Sequence, residues 1–306
     1  MSTGLSAARG MAGPKPNPAA GRAELQGAFR MLWGYAGVFP GAFKIWEGDP
    51  LMNKLRFVAE HDFKSTGIGL GEMKDPARRE QIARFVAEHD LQLSAGLHLK
   101  WLEADFDTLR RQTEEALKEL EVCGPLLRAP IVTTGVGAYH RFMRKPSLAE
   151  QLDRLAEVFT PIARACRQMG MPFGIENHGD YYCGDLVELC KRVPHLGIFL
   201  DTGNTYLVGE QSVPACRLAA PYTIGTHFKD HCVRPDPKTL TFVIQGAPLG
   251  EGDVGLREIY MALIEQAPDP KKLVMQWEMV PPKEMDPFEC LERSWAFVRS
   301  LPEAAR

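Results

Sequence analysis

The sequence predicts an α/β fold, a (β/α)8 barrel in a single domain. Three observations carry that expectation. Strand-like and helix-like segments alternate from Arg30 onward, eight of each, in a chain of 306 residues. Four apolar runs in the second half each end in a metal-binding residue type: Glu176, Asp201, His227 and Glu278. No glycine-rich phosphate turn follows the first strand-like segment, and an open doubly wound sheet usually carries one.

The elements follow in order. Met31–Val38 is apolar and aromatic and reads as strand one. Pro50–His61 has Leu51, Leu55, Val58 and Ala59 at helical spacing. Thr66–Met73 is a glycine-rich strand ending near Glu72. Asp75-Pro76 places a capping residue before a proline and opens a helix that runs to about His89. Leu91–Leu99 is strand three, ending at His98, and Asp105–Cys123 is an amphipathic helix. Pro130–Gly137 is strand four, and Ser147 caps a helix running to Met169. Strand five is Pro172–Asn177, then a helix at Asp185–Val193, strand six at Gly197–Asp201 and a helix at Val213–Ala220. Strand seven is Tyr222–Phe228. Asp230–Val254 then reads as a long irregular stretch with a small hairpin near Leu240–Ile244, the length of a functional loop such as a lid. Helix Leu256–Gln266, strand eight at Lys272–Val280 and helix Pro287–Leu301 complete the pattern.

Composition narrows the class. Apolar residues make up 45% and charged residues 25%, a globular balance. A formal net charge of −3 offers no general attraction to phosphate backbones, which argues against nucleic acid as a partner. No apolar run approaches the roughly 18 residues of a membrane span. The seven cysteines are scattered without a CxxC pair and read as free thiols in a reducing compartment, the cytoplasm. Met1–Arg30 is rich in Ala, Gly and Pro, with Pro14, Pro16 and Pro18 alternating, and lacks the apolar core of a signal peptide. Residues 1–29 are therefore expected to be a disordered or arm-like extension, with the barrel over 30–306.

In such a barrel the reactive groups sit at the C-terminal ends of the strands. Glu176, Asp201, His227 and Glu278 end strands five to eight. Three carboxylates and one imidazole suit one hard or borderline divalent ion with open positions: Mn2+ first, with Mg2+, Co2+ or Zn2+ as alternatives. The lack of a thiolate argues against a closed structural zinc site. Lys229 and His178 lie two residues past His227 and Glu176 and point to the same side of their strands. Both are candidate catalytic groups, with a solvated lysine and a packed histidine as the competing readings. His98, Glu72, Asn204, Arg234 and Tyr35 are candidate substrate contacts. Core packing competes for Tyr35 and for its neighbour Trp33, and Glu251 is expected to order its glycine-rich turn.

These residues carry a resemblance. Gly174-Ile175-Glu176-Asn177-His178, Leu200-Asp201-Thr202-Gly203-Asn204, Thr226-His227-Phe228-Lys229-Asp230, Pro248-Leu249-Gly250-Glu251-Gly252-Asp253 and Trp277-Glu278 are similar to motifs of the xylose isomerase-like barrel superfamily, in its sugar phosphate isomerase/epimerase branch. The likeness spans roughly Arg30 to Leu301. It implies one divalent metal held by Glu176, Asp201, His227 and Glu278, with the two glutamates moving protons on a keto-sugar or related polyol-derived substrate through a metal-stabilised enediolate. Two positions depart from the ketose 3-epimerases of the group. Those enzymes carry a histidine three residues after the metal aspartate and an arginine six after the metal histidine, where this chain has Asn204 and Val233. The His227-x-Lys229-Asp230 pattern also resembles inosose dehydratases and related keto-sugar lyases, so a dehydratase, decarboxylase or 3-keto-glycoside deglycosidase using the same enolate is the alternative. A metal- or sugar-binding protein on an inactive barrel is a third reading, disfavoured by four intact ligand positions. A homo-oligomer stays open, since apolar and aromatic residues in Asp230–Val254 suit contact with a second copy.

Overall fold

Strands buried on both faces are continuous apolar runs rather than alternating ones. β5 (Phe173–Glu176) and β6 (Leu196–Asp201) are of that kind, and β7 (Thr223–Phe228) beside them buries two threonines and a glycine. With β1 (Leu32–Tyr35), β2 (Ser65–Gly69), β3 (Gln92–Gly96), β4 (Val132–Thr134) and β10 (Val274–Trp277) they close an eight-stranded parallel barrel in the order β1-β10-β7-β6-β5-β4-β3-β2. The computed structural model describes residues 31–37, 48–239 and 241–302. The expected extension at residues 1–29 lies outside the described residues, as does Val38 of the expected first strand.

Eight described helices alternate with the barrel strands. They are α1 (Pro50–Glu60), α2 (Pro76–Glu88), α3 (Phe106–Leu127), α4 (Leu148–Gln168), α5 (Cys183–Arg192), α6 (Ser212–Ala219), α7 (Leu256–Gln266) and α8 (Pro287–Arg299). Their starts follow from local chemistry. Asp49, Asp75, Asp105 and Asp286 cap α1, α2, α3 and α8 by accepting first-turn N–H groups. Ser147 and Glu150 form a reciprocal capping box on α4. All seven cysteines are buried free thiols, as their scatter predicts. No helix among the described residues is long and apolar enough to cross a membrane.

The barrel interior is layered. At the base, Ile131, Phe199 and Val274 form an apolar plug with Leu32 and Ile224 packed on it. Above them the Gln276 side chain donates to Ser65 Oγ at 3.1 Å and Ser94 Oγ at 3.0 Å. Gly34 leaves the space this amide needs, because a Cβ there would stand 2.9 Å from Gln276 Cγ. The top layer holds the candidate site. One irregularity sets its register: β6 pairs Ile198 with Thr223 but Phe199 with Gly225, so Ile224 forms a bulge. Past it, Asp201 stands beside His227.

The long stretch after β7 is more ordered than the sequence suggests. Asp230–Pro235 (β8) and Phe242–Ala247 (β9) pair antiparallel over six residues each, outside the barrel. The expected hairpin near Leu240–Ile244 thus falls on the turn and on the first half of β9, with Leu240 itself outside the described residues.

Candidate active site

The site is built on four strand ends. Glu176 is the last residue of β5, Asp201 the last of β6, His227 the last but one of β7, and Glu278 follows β10 directly. Inward parity is fixed lower down: Phe199, two before Asp201, meets the His227 ring edge-on at 4.7 Å, and Gln276, two before Glu278, lies inside the barrel.

Side-chain bridges extend the barrel ladder past the strand ends. Asn177 accepts the Asp201 N–H at 2.7 Å and donates to the Asp201 carbonyl at 2.8 Å, joining β5 to β6. Thr202 does the same towards β7, donating to the Lys229 carbonyl at 2.7 Å and accepting the Lys229 N–H at 2.8 Å. Asp201 Oδ1 accepts the Gly203 and Asn204 N–H groups, both at 2.9 Å, which leaves Oδ2 turned to the site. Sequence reading found the ligand-type residues but not Asn177 and Thr202. Their signal was present, as each directly follows a metal-type residue at a strand end.

The functional groups converge on the His227 imidazole. His227 Nδ1 lies 2.9 Å from Glu176 Oε1, 3.8 Å from Asp201 Oδ2 and 3.8 Å from Glu278 Oε2. Ligand atoms of Glu176, Asp201 and His227 all fall within 4.8 Å of one another. Lys229 Nζ stands 2.8 Å from Asp201 Oδ2, touches Glu278 Oε2 and donates to Asn204 Oδ1 at 3.1 Å. Asp201 Oδ2 and Glu278 Oε2 are buried and have an ammonium nearby, yet no donor is aligned on either in hydrogen-bond geometry. Oxygens of that kind, beside an imidazole, form a donor set that fits a divalent cation.

Charge states follow from the same crowding. Burial pushes His227 down, but Glu176, Glu278 and Asp201 more than offset this and hold it above its usual range. Burial pushes Glu176 up, and His227 and His178 bring it below the usual carboxylate range. Glu278 is also lowered: burial is outweighed by His227 and Lys229. Asp201 goes the other way, raised by full burial and by the two glutamates despite Lys229. Lys229 is held charged against burial by Asp201 and Glu278.

The other expected site residues separate. His178 and His98 both lie at the open mouth, close enough to Glu176 to feel its charge. Burial lowers the His98 pKa, with Glu176 opposing and His178 adding to the shift. Asn204 is buried beside Lys229, accepting from its Nζ, with Nδ2 on the Asn177 carbonyl at 3.0 Å. Three further candidates lie apart from the cluster around His227. Tyr35 points outward from β1 into the core against Phe57 and Phe63, because inward parity falls on Gly34; Trp33 packs there too, on Phe228 and Trp277. Glu72 sits on a 3-10 turn, Leu70–Met73, half exposed and paired with Arg78. Arg234 is exposed on β8 and 3.6 Å from Asp253. Glu251 orders its turn as expected, by pairing with Arg293.

Two buried residues have structural roles that the sequence reading did not assign. Asp230 Oδ2 accepts the Gly250 and Gly252 N–H groups at 2.8 and 3.0 Å, while Oδ1 accepts those of His231 and Val254 at 2.9 and 3.3 Å. It ties β8 to the loop at Pro248–Asp253. Asp180 Oδ1 accepts the His178 and Tyr181 N–H groups at 3.0 and 2.8 Å and so sets the loop carrying His178.

Burial pushes the Asp180 carboxyl from its usual 3.8 up to about 6. Folding therefore favours its protonated form. That stabilisation is fully present below the unfolded value of 3.8 and is lost as pH rises through about 6. In Asp180→Asn the loss is absent. Urea unfolding at pH 4.5 and 7.5 should show the variant gaining on wild type by about 1–3 kcal/mol across that window. Parallel profiles would rule the argument out.

A family model described as xylose isomerase-like TIM barrel matches residues 55–300. The chain belongs to this family. No curated protein sequence matches the chain. Among solved structures, this xylose isomerase-like barrel is similar to a D-psicose 3-epimerase from Clostridium cellulolyticum H10, solved with D-tagatose. The TM-score is 0.65 at 16% identity, covering 89% of this chain and 100% of that one. A xylose isomerase-like TIM barrel protein from Mycobacterium smegmatis, in complex with magnesium, gives a TM-score of 0.61 at 19% identity over 83% and 89% of the two chains. A probable 3-DHS dehydratase from Bacillus anthracis gives 0.60 at 16% over 88% and 98%.

Proposed function

We propose that this xylose isomerase-like barrel is a divalent-metal-dependent isomerase or epimerase of a keto-sugar or related polyol-derived substrate, acting in the cytoplasm. The observation that carries the reading is the convergence of Glu176, Asp201 and Glu278 on His227 Nδ1 at the barrel mouth, all within 3.8 Å. These four residues would hold the ion, with Mn2+ first among the candidates. When bound, it supplies Lewis-acid polarisation of a carbonyl and its neighbouring hydroxyl, which acidifies the adjacent C–H.

The protein's own groups do the rest. Glu176 and Glu278, the two carboxylates held ionised, are the bases that take the proton from the carbon next to the carbonyl and return one. Return to the opposite face epimerises that carbon, and return to the adjacent carbon isomerises the sugar. Lys229 offers a cation to substrate oxygen, and His178 and His98 line the mouth as hydroxyl partners. A D-psicose 3-epimerase among the structural neighbours supports the reading.

One observation favours a lyase as the second reading. Lys229 Nζ lies among the carboxylates, where it can give a proton to a departing β-hydroxyl, and the neighbours include a probable dehydratase. Incubation with Mn2+ and a panel of keto-sugars in D2O, followed by NMR, separates the two. An isomerase or epimerase returns deuterated substrate and its isomer; a lyase gives a dehydrated, decarboxylated or cleaved product. No deuterium uptake on any of them would end both readings.

A further inference from the structure

Asp201 has one oxygen to give to a cation. Its Oδ1 is already engaged by the Gly203 and Asn204 N–H groups. Its Oδ2 is the oxygen Lys229 Nζ approaches at 2.8 Å, and the same ammonium touches Glu278 Oε2. These two oxygens are also the ones a metal would draw from Asp201 and Glu278, since both face His227 Nδ1 at 3.8 Å. We infer that Lys229 is a built-in counter-cation of the metal site, competing with the ion for Asp201 Oδ2 and Glu278 Oε2 and so setting its affinity and exchange. The inference rests on the metal reading above.

The surroundings hold the ammonium in that place. Asn204 Oδ1 accepts from Nζ at 3.1 Å, and Asn204 is itself anchored on the Asn177 carbonyl at 3.0 Å. The Lys229 stem lies over Gly203, where an added Cβ would stand 2.9 Å from Lys229 Cδ. Thr202 fixes the Lys229 backbone from both sides. Lys229 is thus buried on a stem with few alternatives.

Charge works in the same direction as geometry. Deprotonated, as metal ligation requires, Glu176, Asp201 and Glu278 would bring three negative charges to the site. A divalent ion leaves one of them uncompensated, and Lys229 cancels it. The ammonium therefore repels the ion across a short, poorly screened distance while making the loaded site neutral overall. Replacing it with a neutral side chain removes both the competitor and the repulsion, so both effects tighten metal binding.

The test needs metal alone and no substrate. The full-length protein, stripped with EDTA, is titrated with MnCl2 by calorimetry, alongside Lys229→Met, Lys229→Gln and Lys229→Arg; thermal unfolding checks that each is folded. Lys229→Met and Lys229→Gln should bind Mn2+ about tenfold or more tighter than wild type, and Lys229→Arg within about threefold of it. Unchanged or weaker binding in the two neutral variants would overturn the inference, since the lysine would then organise the carboxylates instead of competing for them. If wild type and all three variants bind no Mn2+, the metal site itself is wrong and the inference falls with it.

Discussion

Glu278→Gln should abolish turnover and lower the metal content of the purified protein. The substitution keeps the shape of the side chain and removes its charge. Glu278 Oε2 stands 3.8 Å from His227 Nδ1, against Lys229 Nζ, and both cations hold its carboxyl below the usual range despite burial. An amide there loses one of three negative charges in the donor set and presents either a weaker oxygen or an N–H group to the ion. As a base it is lost altogether. The loss of general base catalysis alone is worth about 10²–10⁴ in kcat, and weaker metal binding adds to it. The measurement is a pair of readouts on one preparation: metal content by mass spectrometry of the element, and deuterium exchange into keto-sugars. Glu176→Gln should behave similarly, because Glu176 Oε1 is 2.9 Å from His227 Nδ1. Unchanged activity in Glu278→Gln would remove this residue from the site.

The sites of these substitutions were legible because the barrel puts strand ends on one rim, and a strand end can be read locally. A short apolar run that closes on a lone Glu, Asp or His marks its own last residue. The eight-stranded alternation was legible for the same reason. What was missed depends on pairing between distant segments. The bulge at Ile224 exists only in the register of β6 against β7, so no pattern within either strand announces it. Asp230 and the turn at Gly250–Gly252 lie 20 and 22 residues apart, and the hairpin expected near Leu240–Ile244 was read too short, because Pro235 and Pro237 at the end of β8 and in the turn interrupt its pattern. Tyr35 is a different case. Parity along β1 could have been read from Gly34, the residue small enough to face a crowded interior, and it sends both aromatics outward. The contact between Asn204 and Lys229 likewise joins two strand ends and has no local signature.

Asp230→Ala should be among the most destabilising single substitutions in the second half of the chain. The Asp230 carboxylate accepts four backbone N–H groups, two on each oxygen, and is almost fully buried. Burial raises its pKa and those four donors oppose the rise. Removing the side chain leaves four N–H groups without an acceptor, each able to cost about 1–3 kcal/mol if water cannot enter. The turn at Pro248–Asp253 borders solvent, so part of this is recovered and a net loss of about 3–4 kcal/mol is expected. Asp230→Asn should lose nearly as much. Its amide keeps one acceptor oxygen and turns an NH2 group towards the two donors the other oxygen served. Nor is there room to substitute from the opposite side, because a Cβ on Gly252 would stand 2.1 Å from Asp230 Oδ1. The effect should also be local. Lys229 and Asp230 are adjacent, so loosening this anchor frees the start of β8 next to the ammonium that touches Glu278. Urea unfolding gives the global loss, and limited proteolysis shows whether cleavage concentrates in residues 230–254. A loss below about 1 kcal/mol would mean that water replaces the carboxylate at all four donors, and the hairpin would then be held by β8–β9 pairing instead of by Asp230.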